Sequence, residues 1–455
     1  IRVTVDDSMR YQTIDGWAAT TRYWEEDKEH DRFDRSFEPY AERIAELLVD
    51  QIGINMVRLE LLSGFENPHD YWGEFVAGRI GYREYAKYRF EKVNDNDDPH
   101  SVNTAGFQFG PLDYRIETSV LPLRRALEAR GERLWINVCY VDFKSNAAAG
   151  ATVQGPFSHA RDPQEYAEFI LTYLRRMRDK YALVPDSLEI VLEPDGTADW
   201  RGADIGRALV TTADLLRANG FAVEMFAPSN ASMANAISYF DDMIQVPGVA
   251  ERLDTFVYHR YRLQRRAYVE EIRARAQRYN LKTAMLEKLN GTIDMLLEDL
   301  TVGHVASWQL WGAAGHQRSA PNANVYALVD DRSPAAPVIT RAHRSDELAH
   351  VFRYVRRGAV RIAASSTPSR NASAAFINPD GTRVVVVRTS SGTRTVSIVG
   401  LPAGRYESRF TGDGASHGDP QPLTTPASGE VTIPVSGKGT LTVYGVRPGK
   451  SLTGS

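Results

Sequence analysis

Between residues 12 and 356, short β-branched and aromatic runs alternate with stretches whose apolar residues recur every three or four positions, the pattern of repeated βα units. The runs fall at 14–17 (IDGW), 55–61 (NMVRLEL), 134–141 (LWINVCYV), 188–193 (LEIVLE), 222–227 (AVEMFA), 255–259 (TFVYH), 282–286 (KTAML) and 304–310 (HVASWQL). Helical periodicity separates them, clearest at 40–49, 120–129, 163–178 and 266–279, and Gly53, Gly131 and Gly220 stand where helices must stop. Eight alternations predict an α/β chain closed into a (β/α)8 TIM barrel. An open doubly wound sheet is the alternative, but no Gly-rich phosphate loop follows the first run.

After residue 357 the period changes to two, in runs at 383–388 (RVVVVR), 395–398, 405–410, 429–434 and 439–444 separated by Gly, Pro, Ser and Asp. This predicts a catalytic barrel over 12–356 and a sandwich-like all-β domain over 357–455. Residues 1–5 (IRVTV) alternate in the same way, so the N-terminal strand within 1–11 is expected to pair with that second domain. The segment 63–114, rich in Tyr, Asn, Asp, Gly and Pro, interrupts the barrel rhythm and is expected to shape a cleft, although a solvated insertion would look the same.

At 455 residues the chain has room for one barrel and one accessory module. Its net charge of -4 supplies no cationic field for a phosphate backbone, which argues against a nucleic-acid partner. Cys139 is the only cysteine, so neither an intrachain disulfide nor a thiolate metal cluster can form. No apolar run approaches the roughly 20 residues of a bilayer span. The first residue is Ile1 and a strand pattern begins at once, as expected where a targeting segment has been removed; a secreted or cell-surface bacterial protein is the expectation.

A barrel places its chemistry at the carboxyl ends of its strands. Glu193 ends LEIVLE and Glu287 follows KTAML, each behind a run that reads as buried strand. Burying a lone carboxylate is costly, so such a residue has either a task or a structural ion-pair partner. Retaining glycoside hydrolysis needs two carboxyl groups about 5 Å apart, one to attack the anomeric carbon and one to protonate the leaving oxygen. The ten histidines include no HExxH, and no G-x-S-x-G elbow occurs, so catalysis without metal or cofactor is the simplest reading.

The chain resembles clan A of the glycoside hydrolases and, more narrowly, family 30. The resemblance rests on IDGWAAT at 14–20, which contains Trp17, and on MVRLEL with Arg58. It also rests on EP at 193–194, YHRY at 258–261, MLE at 285–287, WQLWG at 308–312 and the stretch 347–366 leading into the β-domain. It implies Glu193 as acid/base, Glu287 as nucleophile and Arg58 as the group orienting the nucleophile. It also implies that His259 or Tyr261 faces the cleft, bonding nucleophile or substrate. Trp308 and Trp311 are offered as sugar-stacking platforms, Trp308 foremost, with burial in the core as the alternative.

One position departs from the clan. The Asn that normally precedes the acid/base is Leu192 here, which removes an amide bond to the sugar 2-hydroxyl. Asn137, Asp142 and Asp195 are the candidates to replace it, and an unusual glycone is expected. A poly- or oligosaccharide is the expected substrate. A noncatalytic carbohydrate-binding barrel and a transglycosylase are the competing readings.

Overall fold

In the computed structural model, residues 1–455 are described except for Tyr23, Trp24, Leu263, Arg370 and the segments 318–323, 334–335, 414–418, 427–428 and 447–455. Eight parallel strands close into a barrel: β1 (Gly16–Thr20), β2 (Met56–Leu62), β3 (Trp135–Val141), β4 (Ser187–Glu189), β5 (Glu224–Ser232), β6 (Leu253–Arg262), β7 (Lys282–Met285) and β8 (Val305–Gln309). They pair in chain order and β8 returns to β1, with Trp308 beside Trp17. β2 and β3 are buried at every position, as strands covered on both faces must be.

Between strands the expected helices form, among them Ala41–Glu46, Leu121–Glu128, Pro163–Tyr181 and Arg266–Arg278. The first continues to Ile52 and stops on Gly53 at φ 101°, where a Cβ would meet the Phe352 carbonyl oxygen at 2.3 Å. Residues 63–114 fold into short helices, Tyr71–Val76 and Tyr82–Tyr88, around a separate aromatic cluster of Trp72, Phe75, Tyr82 and Tyr85.

β4 is shorter than its sequence predicts. Residues 190–193 keep hydrogen bonds to both neighbours, Ile190 to Phe226, Leu192 to Tyr140 and Glu193 to Ser229, but leave regular strand geometry. The cause is at its end: Glu193 sits in the left-handed region at φ 44° and Pro194 follows. Beyond β8 a small sheet of Gly312–His316, Val325–Asp330 and Val338–Arg341 was not legible in the hydrophobic pattern.

The second domain is a β-sandwich whose nine-stranded sheet includes the N-terminal strand Arg2–Thr13, third from one edge. That strand runs antiparallel to Val360–Thr367 and parallel to Thr395–Val399. Val3 and Val5 enter a core with Ile362, Val385, Val387, Val396, Ile398, Leu441 and Val443. The opposite face, through Phe376, Val384, Val386 and Tyr444, joins the main barrel core. The junction is also polar: His350 lies 2.8 Å from the hydroxyls of both Thr411 and Thr442, and Arg388 pairs with Asp294 at 2.8 Å. No helix among the described residues is long and apolar enough to cross a membrane.

Candidate active site

Glu287 emerges directly behind β7, at the carboxyl end of the barrel. Arg58, fully buried in the middle of β2, donates to Glu287 Oε2, to Glu60 Oε1 at 3.4 Å and to the Leu286 carbonyl at 3.1 Å. Tyr261, from β6, donates to the other oxygen, Glu287 Oε1, at 2.7 Å. Burial by itself raises the pKa of this carboxyl. The Arg58 charge, the neighbouring His259 and the two donated bonds outweigh it and hold Glu287 below the ordinary carboxylate range.

Glu193 has the opposite environment. Its Oε1 lies 2.9 Å from His259 Nδ1, and no guanidinium reaches it among the described residues. Burial, reinforced by the charge on Glu287, pushes its pKa up despite His259. The His259 ring is itself fully buried, which opposes its charge, yet Glu193 and Glu287 more than offset this and raise its pKa. Its Nε2 is 3.2 Å from Ser229 Oγ, which donates in turn to Glu189. Glu193, His259 and Glu287 each place a polar atom within 4.8 Å of the other two. These side chains are also the ones a cation would contact, but Arg58 and Tyr261 already hold both oxygens of Glu287, and a guanidinium on that carboxylate opposes a divalent ion.

The structure therefore brings together Glu193, Glu287, Arg58, His259 and Tyr261. Other sequence-predicted residues are committed elsewhere. Asn137 donates to Glu189 at 3.1 Å and accepts from Ser187 inside the barrel. Asp142 pairs with Lys92 at 2.6 Å and accepts from the Trp200 indole. Asp195 accepts from the Ala231 and Ser232 amides and from Asn235, tying the loop after β4 to the end of β5. All three are hydrogen-bonded within the protein. Leu192 is buried in the main core.

The two tryptophans differ in burial. Trp308 is not a sugar platform: it is fully buried, its indole N–H donates to Asp299 at 2.9 Å and its ring packs on Phe352. Trp17 is likewise core, stacked on Phe352 at 4.7 Å and donating to the Val355 carbonyl. Trp311 is half-buried and lines a pocket of about 100 Å³ with Arg22, Glu26, Lys28, Tyr82, Arg89 and Asn146. The pocket lies on the same rim, since the Thr20 amide donates to Trp311 and the adjoining Thr21 amide to Arg58. In it Glu26 is shared by Arg22 and Arg89; against burial, these cations depress its pKa to about 2.

Sequence reasoning missed Ser229, Glu189, Glu60 and this Arg22–Glu26–Arg89 group. Glu189 and Glu60 carried a signal, a carboxylate inside an apolar strand run. Ser229 carried none.

Residues 358–452 match the family model described as the glycosyl hydrolase family 30 beta sandwich domain. The whole chain also superposes on solved structures. For the catalytic domain of GH30 xylanase C from Talaromyces cellulolyticus the TM-score is 0.67 at 14% identity, covering 98% of this chain and 100% of that one. A GH30 endoxylanase from Clostridium papyrosolvens C71 gives 0.66 at 14%, with 98% and 100% covered. The endo-beta1,6-glucanase BT3312 gives 0.64 at 15%, with 98% and 94% covered. No curated protein matches the chain. The fold and domain architecture are those of the family 30 glycoside hydrolases.

Proposed function

We propose that the protein is a retaining glycoside hydrolase acting on a poly- or oligosaccharide outside the cell or at its surface, with Glu287 as nucleophile and Glu193 as acid/base. The observation that carries this reading is the division of charge between two carboxyls whose oxygens lie within 4.8 Å. One is kept ionised by Arg58 and Tyr261 and the other is biased toward its protonated form. That is the pairing double displacement requires.

In the first step the ionised Glu287 oxygen bonds to the anomeric carbon as the glycosidic bond breaks and Glu193 gives its proton to the departing oxygen. In the second, Glu193, now a carboxylate, takes a proton from water. The water oxygen bonds to the anomeric carbon and Glu287 leaves with its electron pair. Arg58 and Tyr261 withdraw charge from the ester oxygen of the intermediate and stabilise the carboxylate as it departs. His259, bonded to Glu193, positions it and buffers its change of charge.

The sugar is less conventional than the fold. Leu192 in the main core, with Asn137, Asp142 and Asp195 engaged by protein partners, supports the loss of the clan's amide contact to the 2-hydroxyl. We read this as a glycone whose second carbon is presented differently, such as a furanoside or a sugar of altered C2 stereochemistry. Trp311 supplies an apolar face, and the guanidinium-rich pocket beside it supplies hydrogen-bond donors to hydroxyl or acidic substituents.

The test is a panel of plant, fungal and bacterial polysaccharides incubated with wild type and Glu287→Gln, with product size and anomer recorded. A product of retained configuration, absent with the variant, is expected. Activity surviving in Glu287→Gln, or an inverted product, would refute the mechanism; full efficiency on ordinary xylan or β-glucan would refute the unusual glycone.

A further inference from the structure

A continuous chain of hydrogen bonds runs through the barrel interior and ends on the acid/base. Trp135 donates its indole N–H to Ser187 Oγ at 2.9 Å, Ser187 donates to Asn137 Oδ1 at 2.9 Å, and the Asn137 amide donates to Glu189 Oε2 at 3.1 Å. The other oxygen, Glu189 Oε1, accepts from Ser229 Oγ, which lies 3.2 Å from His259 Nε2. His259 Nδ1 then lies 2.9 Å from Glu193 Oε1. Glu189, Ser229 and His259 are fully buried, so Ser229 and Glu189 cannot themselves reach a substrate. Ser229 also holds a left-handed backbone at φ 61°, where β5 slips out of register with β6, a conformation that costs a non-glycine residue. Its carbonyl accepts the Glu193 amide at 2.9 Å, so this one strained residue serves Glu193 through both its backbone and its hydroxyl.

The donors along this chain have a fixed direction. An indole N–H can only donate, so Ser187 turns its proton to the Asn137 oxygen and the amide presents its N–H to Glu189. A carboxylate can only accept, and Glu189 lies within the field of the Arg58 charge. Ser229 therefore gives its single proton to Glu189 and offers His259 Nε2 a lone pair, which requires a hydrogen on Nε2. In the neutral ring Nδ1 is then bare and faces Glu193. One proton between Nδ1 and Glu193 makes a sound bond, whichever side holds it. Remove that proton and two lone pairs confront each other. An unconstrained imidazole would escape by moving its hydrogen to Nδ1 and donating to the carboxylate; with Nε2 committed to Ser229 it cannot, and the proton is held to higher pH.

We propose that Ser229 and Glu189 are positioning residues that lock His259 in its Nε2–H tautomer and so keep the proton shared by His259 and Glu193 available to the leaving group. This rests on the reading of Glu193 as acid/base. The charged groups facing the ring are Glu193 and Glu189 from β4 and Glu287 behind β7, with Asp195 beyond Glu193 and Arg58 and Tyr261 beyond Glu287. All three glutamates favour the charged ring, so removing the charge of Glu189 acts in the same direction as removing the hydroxyl of Ser229.

The test joins nitrogen NMR of histidine-labelled full chain to kcat/KM against pH, for wild type, Ser229→Ala and Glu189→Gln, on a polysaccharide that wild type cleaves. Above the basic limb, wild-type His259 should carry its hydrogen on Nε2, and in Ser229→Ala it should pass toward Nδ1. The basic limb should fall by about 0.5–1 pH unit in Ser229→Ala and should also fall in Glu189→Gln, while the acid limb of Ser229→Ala stays in place. A merely structural role would lower Tm or kcat and leave the limb where it was. The proposal is overturned if neutral wild-type His259 is the Nδ1–H tautomer, or if the basic limb of Ser229→Ala stays or rises. Should wild type cleave nothing, the acid/base reading fails, yet the tautomer and the His259 titration, both read by NMR, still decide the lock. Should a variant fail to fold, the wild-type tautomer decides it.

Discussion

Glu287 and Glu193 are the same side chain held in two protonation tendencies by what touches them, and this fixes the direction of the pH response. Activity needs Glu287 ionised and Glu193 protonated, so kcat/KM should follow a bell whose acid limb belongs to Glu287 and whose basic limb involves the Glu193–His259 pair. Tyr261→Phe removes a bond donated only to the ionised nucleophile. The Glu287 pKa then rises, and the acid limb should move to higher pH while the basic limb stays in place. His259→Asn removes a group that lowers both carboxyls, so both limbs should move up. A pH–rate profile of the two variants separates these outcomes. Limbs unmoved in Tyr261→Phe would show that the hydroxyl does not tune the nucleophile.

The tryptophans give a second contrast at this scale. Trp311→Ala should raise KM several-fold with a smaller change in kcat and little change in Tm, because the ring stands on the rim pocket. Trp308→Ala should instead cost stability, about 3–5 kcal/mol, through a cavity beside Phe352 and the loss of its bond to Asp299. Denaturant unfolding combined with steady-state kinetics distinguishes them.

At the scale of elements, what the sequence made legible was whatever a period encodes. All eight barrel strands could be located from apolar runs, because a strand covered on both faces has to be apolar throughout. Their ends were less legible. β4 stops at Glu189 because the backbone turns left-handed at Glu193 before a proline, a conformation no hydrophobic pattern carries. Arg58, Glu193 and Glu287 stood out as charges in apolar runs, whereas the Ser229–Glu189 link to His259 depends on which side chains face the barrel interior, and Trp308 and Trp311 look alike until burial is known. Gly53 offers an element-scale prediction. Gly53→Ala must accept φ 101° and a Cβ at 2.3 Å from the Phe352 carbonyl, so it should destabilise by at least about 1–2 kcal/mol, measurable by urea unfolding.

For the whole molecule, the two domains are not independent bodies. The barrel core continues through Phe376, Val384, Val386 and Tyr444 into the sandwich, with the His350 and Arg388 contacts across the same junction. The sheet, in turn, contains the chain's first strand among strands from its last hundred residues. Deleting residues 1–11 should take Val3 and Val5 out of the sandwich core, uncover neighbours such as Ile362 and Ile398, and lower Tm for the whole protein. Intact protein should unfold in one calorimetric transition; two resolved transitions would show that the shared core does not couple the domains.

The place of that first strand between two strands made late in the chain also sets a clock on synthesis. Arg2 finds its partner in Thr367, and at roughly 5–20 residues per second a ribosome needs on the order of 20–70 s to make the intervening chain. Throughout that interval Arg2–Thr13 leaves the ribosome with its backbone groups unpaired by the sheet that will receive it. A nascent-chain chaperone that shields an extended segment for about a minute should therefore improve the yield of this protein more than that of a barrel whose ends close locally.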